Sequence, residues 1–93
     1  MWATERRISL ETRVAVLAII VREPDSVAAL NDLLHQYGAY IIGRMGVPYR
    51  ERGVNIISVA LDAPADAISA LSGKIGRLKG ITAKTVYAPE QAM

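Results

Sequence analysis

The chain predicts an α+β fold of the split βαβ, ferredoxin-like type: a βαββαβ sandwich whose four-stranded antiparallel sheet carries two helices on one face. Three observations lead there. The text reads strand–helix–strand twice in about 75 residues, each helix begins at a proline beside an acid, and each ends at a glycine. If each crossover is right-handed, both helices land on the same side of the sheet.

The elements are justified in order. Met1 to Leu10 shows no period and is expected to be a flexible or loosely docked extension, ahead of one domain over residues 11–88 and a tail over 89–93. Arg13 to Val21 is apolar at consecutive positions and rich in β-branched residues, the pattern of a strand covered on both faces. Glu23-Pro24-Asp25-Ser26 starts a helix. Val27, Leu30, Leu34 and Tyr37, widened by Leu33, form its apolar stripe, and Gly38 closes it. A second strand is expected from Tyr40 to about Met45, followed by a turn through Gly46, Pro48 and Gly53. Val54 to Leu61 alternates Val54, Ile56, Ser58 and Ala60 with Asn55, Ile57, Val59 and Leu61. Pro64 and Asp66 start the second helix, with Ile68, Leu71, Ile75 and Leu78 on one stripe. Gly80 stops it, and Ile81 to Tyr87 is the last strand.

Composition bounds the function. With 93 residues, 52% hydrophobic and 22% charged, the chain is one small domain. Folding at this size buries only about 60–65% of the unfolded surface, so association is a natural supplement. The strands are greasy on both sides, whereas two helices cover only one. The uncovered side is therefore expected to be an interface, giving a homo-oligomer (dimer or tetramer) through the sheet. Cysteine is absent, which removes disulfides and thiolate chemistry. The longest apolar run, Val14 to Val21, is too short for a bilayer, and no export signal follows Arg6 and Arg7. A cytoplasmic location is the expectation. A net charge of +2 is too small to argue for nucleic-acid binding, which rests on several clustered cations, and direct nucleic-acid binding is not expected.

The stretch YIIGRMGVPYRERG, Tyr40 to Gly53, concentrates cations and aromatics where a strand meets a loop. Arg44 interrupts an apolar run. It is read either as a cation paired with Glu51 or a neighbour's carboxylate, or as a guanidinium placed to take a carboxylate or phosphate. Arg44, Gly46, Tyr49 and Arg50 are the expected ligand-binding residues. His35 is read as a solvated or partly packed helix side chain rather than a ligand, since one histidine cannot complete a metal shell. Lys74, Arg77 and Lys79 suit the negative end of the second helix. The serines have no paired base, and the acids are helix-start residues first, so no catalytic constellation, metal site or cofactor is expected.

The runs ETRVAVLAIIV, LLHQYGAYIIGRMGVPYRERG, VNIISVALDAP and DAISALSGKIGRLKGITAKTVY resemble the small ACT-like proteins known as iron-only hydrogenase system regulators, over roughly Glu11 to Tyr87. IIGRMGVPYRE is the most specific segment. The resemblance implies an ACT-like fold related to the ligand-binding domain of the nickel-responsive repressor. It also implies oligomers and a transcriptional-regulator type of role beside iron-only hydrogenase maturation. Three departures limit the carry-over. Amino-acid-binding ACT domains place a glycine between first strand and first helix, where this chain has Arg22-Glu23-Pro24-Asp25-Ser26. The nickel repressor binds metal through histidines and a cysteine, and carries an N-terminal DNA-binding module that ten residues cannot supply. A non-enzymatic regulatory or sensor domain with a small-molecule effector is the resulting expectation. The alternative is an adaptor that binds another protein, such as a maturation factor or a separate DNA-binding subunit.

Overall fold

The structure, a computed structural model, describes residues 11–89. The expected N-terminal extension and the last four residues of the tail lie outside the described residues. Six elements follow one another: β1 (Arg13–Val21), α1 (Val27–Gln36), β2 (Ile41–Tyr49), β3 (Val54–Ala63), α2 (Ala65–Gly76) and β4 (Ile81–Tyr87). The four strands form one antiparallel sheet in the order β2-β3-β1-β4, as expected of the ferredoxin-like α+β class.

Register decides which side chains share a face. Leu17 stands opposite Val59 and Thr85, and Ile19 opposite Ile57 and Ala83. On this side Ala15, Leu17, Ile19, Val21, Val59, Leu61, Ala63 and Ile81 are buried against Leu30 and Leu34 of α1 and Ile68, Leu71 and Ile75 of α2. Both helical stripes read from the sequence therefore point into the core, with Val27, Leu33, Tyr37 and Leu78 half-buried at its margin.

The ends of the elements are tied across the sheet. Ser26, the one buried polar residue among those described, donates from Oγ to the Lys79 carbonyl at 2.7 Å. Arg22 N donates to the Gly80 carbonyl at 2.8 Å, so the loops after β1 and after α2 hold each other. At the other end Arg13 donates to the Ala88 carbonyl at 3.1 Å and lies 4.3 Å over the Tyr87 ring.

Several boundaries differ from the sequence reading. β2 continues four residues past Met45 to Tyr49, with Val47 opposite Ile56 and Pro48 opposite Asn55. Gly46 and Pro48 look like turn residues. On an edge strand, however, the amide that proline lacks can face away from the ladder, so pairing with β3 prevails. The reversal shrinks to a single 3-10 turn, Arg50–Arg52, closed by Gly53 in the left-handed region at φ 65°. β3 likewise runs on to Ala63.

Pro24 opens a 3-10 turn ahead of α1 rather than the helix itself, and Pro64 caps α2 instead of occupying its first turn. Gly38 does not adopt a left-handed closure. α1 tightens into a 3-10 turn, Gly38–Tyr40, whose Tyr40 N–H satisfies the Tyr37 carbonyl at 3.0 Å. None of the helices among the described residues is long and apolar enough to cross a membrane.

Candidate functional site

β2 is the edge strand that carries the expected binding residues, and its alternation sends them to opposite sides. Arg44 pairs with Val59 and Gly46 with Ile57, both on the helix side of the sheet. Met45, Val47 and Tyr49 fall on the other side, opposite Ser58, Ile56 and Val54. Arg50 begins the turn beyond the strand end. The four residues therefore do not converge within one chain. Arg44 and Gly46 share a side and are neighbours, whereas Tyr49 lies roughly 16 Å along the strand from Arg44 at about 3.3 Å per residue.

Arg44 is exposed, and its Nη2 donates to Asn31 Oδ1 of α1 at 3.3 Å. The intrachain partner is thus an amide and not the Glu51 carboxylate, which sits past the end of the strand. A neutral acceptor at this length holds the guanidinium loosely and itself supplies no compensating charge. Beside it, a Cβ added to Gly46 would approach only Ile57 Cγ1, at 3.9 Å, so the glycine leaves open backbone rather than relieving a clash.

The remaining candidates are dispersed. His35 is exposed in the last turn of α1. Lys74 lies in the last turn of α2 and donates to the Tyr37 hydroxyl at 3.0 Å, 5.3 Å above the Tyr37 ring. Its charge thus serves both the helix end and a contact between helices. Among the described residues no three His, Cys, Asp or Glu side chains come together as a metal-holding group.

The larger feature is the side of the sheet away from the helices. Val14, Val16, Met45, Val47, Tyr49, Ile56 and Val86 are all exposed there, with Val16 at 40% and Met45 and Val86 at 64%. Ile42, at the β-bulge between Ile41 and Gly43, is 63% exposed. The sequence indicated that an apolar side would be uncovered. Which residues line it follows only from the register, because the bulge resets the alternation of β2 by one residue.

Comparison with known proteins agrees with this architecture. A family model described as "TM1266-like: Iron-only hydrogenase system regulator, putative" matches residues 13–85. Among solved structures, the uncharacterized protein TM1266 from Thermotoga maritima is 38% identical, with a TM-score of 0.82 over 85% of this chain and 100% of that one. The C-terminal domain of the MgtC protein from Mycobacterium tuberculosis superposes with a TM-score of 0.67 at 10% identity, covering 84% of this chain and 89% of that one. A formyltetrahydrofolate deformylase from Pseudomonas putida KT2440 does so at 0.59 and 16% identity, covering 82% of this chain and 29% of that one. Both of these show the fold alone. No curated protein matches the chain. A family match that takes in both helices and reaches into β4, together with a 38% identical relative covered end to end, establishes that the chain belongs to the TM1266-like iron-only hydrogenase system regulator family.

Proposed function

We propose that this chain is a non-enzymatic regulatory module of an iron-only hydrogenase system, acting as an oligomer and responding to a small anionic effector held beside Arg44 where copies meet. The observation that carries the reading is Arg44 itself, an exposed guanidinium on an edge strand, restrained by one 3.3 Å hydrogen bond to Asn31. A carboxylate or phosphate would take two parallel bonds from it. Gly46 on the same side leaves backbone accessible to the ligand. Tyr49 and Arg50, at the far end of β2, would reach the site from a neighbouring copy. The effector would then favour one assembly by its difference in affinity between states.

Thermal-shift screening of the wild type and Arg44→Ala against amino acids, nucleotides and metal salts tests the reading. A carboxylate or phosphate compound at about 100 times its Kd adds roughly 2.7 kcal/mol, a rise of about 10 °C or more in a domain of this size. That rise should be absent in Arg44→Ala. No stabilisation by any compound would sink the effector. The exposed apolar side of the sheet supports a second reading, an adaptor for a maturation factor or a separate DNA-binding subunit. Recovery of such a partner from cell extract, with the ligand screens empty, would favour it.

A further inference from the structure

We infer that the outer edge of β4 is a strand-addition site for an extended segment of a different protein, one that carries an acidic residue at its centre. The edge gives the adaptor reading a docking surface and rests on that reading. It lies across the sheet from Arg44, which is on β2, and does not involve the effector.

Hydrogen-bond parity defines the edge. Ala88 N donates to the Val14 carbonyl at 2.9 Å and Arg22 N to the Gly80 carbonyl at 2.8 Å. With Val16 opposite Val86 and Ala18 opposite Lys84, the even-numbered residues of β4 therefore turn their backbone toward β1. The odd ones turn outward. Ile81 N is taken by the Leu78 carbonyl at 3.3 Å, whereas the N–H groups of Ala83, Thr85 and Tyr87 have no partner among the described residues. They form an unfilled half-ladder about 13 Å long.

The two edges of the sheet differ. The same parity carried across β1 and β3 directs Val54, Ile56, Ser58 and Ala60 toward β2, so Arg44, Gly46 and Pro48 face outward on that strand. There the proline supplies no donor and the bulge between Ile41 and Gly43 breaks the repeat, both of which blunt an edge. β4 has neither device. Its seven residues pair with β1 without a register shift and include no proline or glycine.

The helix side of the edge is also open. Thr85 Oγ1 donates to Ser72 Oγ at 3.2 Å, so α2 lies above β4 on that side. Ser69 and Gly76, three residues before Ser72 and four after it, continue the same line along the helix. This flank of α2 offers little bulk to the side chains of an added strand.

Lys84 selects the occupant. It is exposed at the middle of β4, opposite Ala18 and flanked on the same face by Thr82 and Val86, with no hydrogen bond or ion pair among the described residues. A second copy added in the two-fold register that uses the whole strand would set Lys84 against Lys84. That is a pair without hydrogen bonds, where side chains approach closest and like charges repel. A carboxylate at that position of a foreign strand is attracted instead.

Deuterium exchange of the full chain, read amide by amide by NMR, tests this with a defined probe: a blocked nonapeptide of alternating threonine and valine with glutamate at its centre. At ~10 times its Kd this peptide should slow exchange of the Ala83, Thr85 and Tyr87 amides about tenfold. A central-lysine peptide should bind about fivefold more weakly, and Lys84→Glu should reverse that preference. Ala83→Pro and Thr85→Pro each remove an outward donor and keep the bonds to β1. Either variant, its fold verified by circular dichroism, should bind at least ~10-fold more weakly, and the Lys84→Glu arm decides if neither folds. No protection by the glutamate peptide overturns the inference, as does unchanged binding to the folded proline variants or an unchanged preference in Lys84→Glu. Protection of these amides before peptide is added overturns it too: the cover is a second copy if protection rises with protein concentration, and the chain itself if it does not. A partner recovered from extract beside an empty peptide test overturns this edge and leaves the adaptor reading standing at another surface.

Discussion

At the scale of single residues, Gly80 shows how local chemistry and long-range packing meet. Its φ of 72° lies in the left-handed region, and a Cβ built on it would stand 2.5 Å from Cβ of Glu23. Gly80→Ala is therefore strained by its backbone and also clashes with the loop after β1. It should cost about 2–3 kcal/mol, with a fall in Tm on the order of 10 °C. Gly43→Ala, with nothing within 4 Å and an ordinary φ, should stay within about 0.5 kcal/mol of wild type. Equal melting of the two variants would refute the close approach of these loops. The sequence marked Gly80 as a helix stop, but α2 ends at Gly76, and nothing nearby in the sequence announces the contact with Glu23. Arg44 is similar: its place in an apolar run was legible, its hydrogen bond to Asn31 was not.

At the scale of elements, β1 was readable to the residue, because uninterrupted β-branched text between charged ends admits few alternatives. β2 was read short because Gly46 and Pro48 are breakers by local propensity, and tertiary pairing overrides propensity on an edge strand. The two sides of β1 yield a direct test. Leu17 is fully buried beneath the helices, so Leu17→Ala should lose about 2–5 kcal/mol in urea unfolding. The neighbouring Val16→Ala, half open in the single chain, should lose less than about 1 kcal/mol at protein concentrations low enough to keep any assembly apart. Comparable losses would mean that both sides of the strand are covered within one chain. Pro48→Val would supply a donor to the outer edge of β2 and improve strand propensity. Its expected outcome is little change in Tm but more light scattering on heating, since edge proline guards against strand addition.

At the scale of the whole molecule, the controlling fact is a sheet with helices on one side only. The proposed association through the other side would make stability depend on mass action, so the wild-type Tm should then rise with protein concentration. Val16→Asp should flatten that dependence while leaving the far-ultraviolet spectrum intact. A Tm independent of concentration for the wild type would speak against an obligate assembly. The candidate binding residues belong to the same scale: Arg44 and Tyr49 are five residues apart on one strand and face opposite ways, so a site that uses both needs more than one copy.

The residue order by itself determined the α+β class, the succession of six elements, the helical stripes that enter the core, and the family resemblance in the segment around Arg44. Each of these rests on local periodicity or on residue identity, which is present in the text before any folding. Only the tertiary structure decided which of two equally greasy sides of β1 the helices take, how far β2 runs, and which side of the sheet Arg44 occupies. Those outcomes depend on strand register and on the bulge at Ile41 to Gly43, where a one-residue slip exchanges the two sides, and no stretch of sequence read alone contains the partner that sets the register.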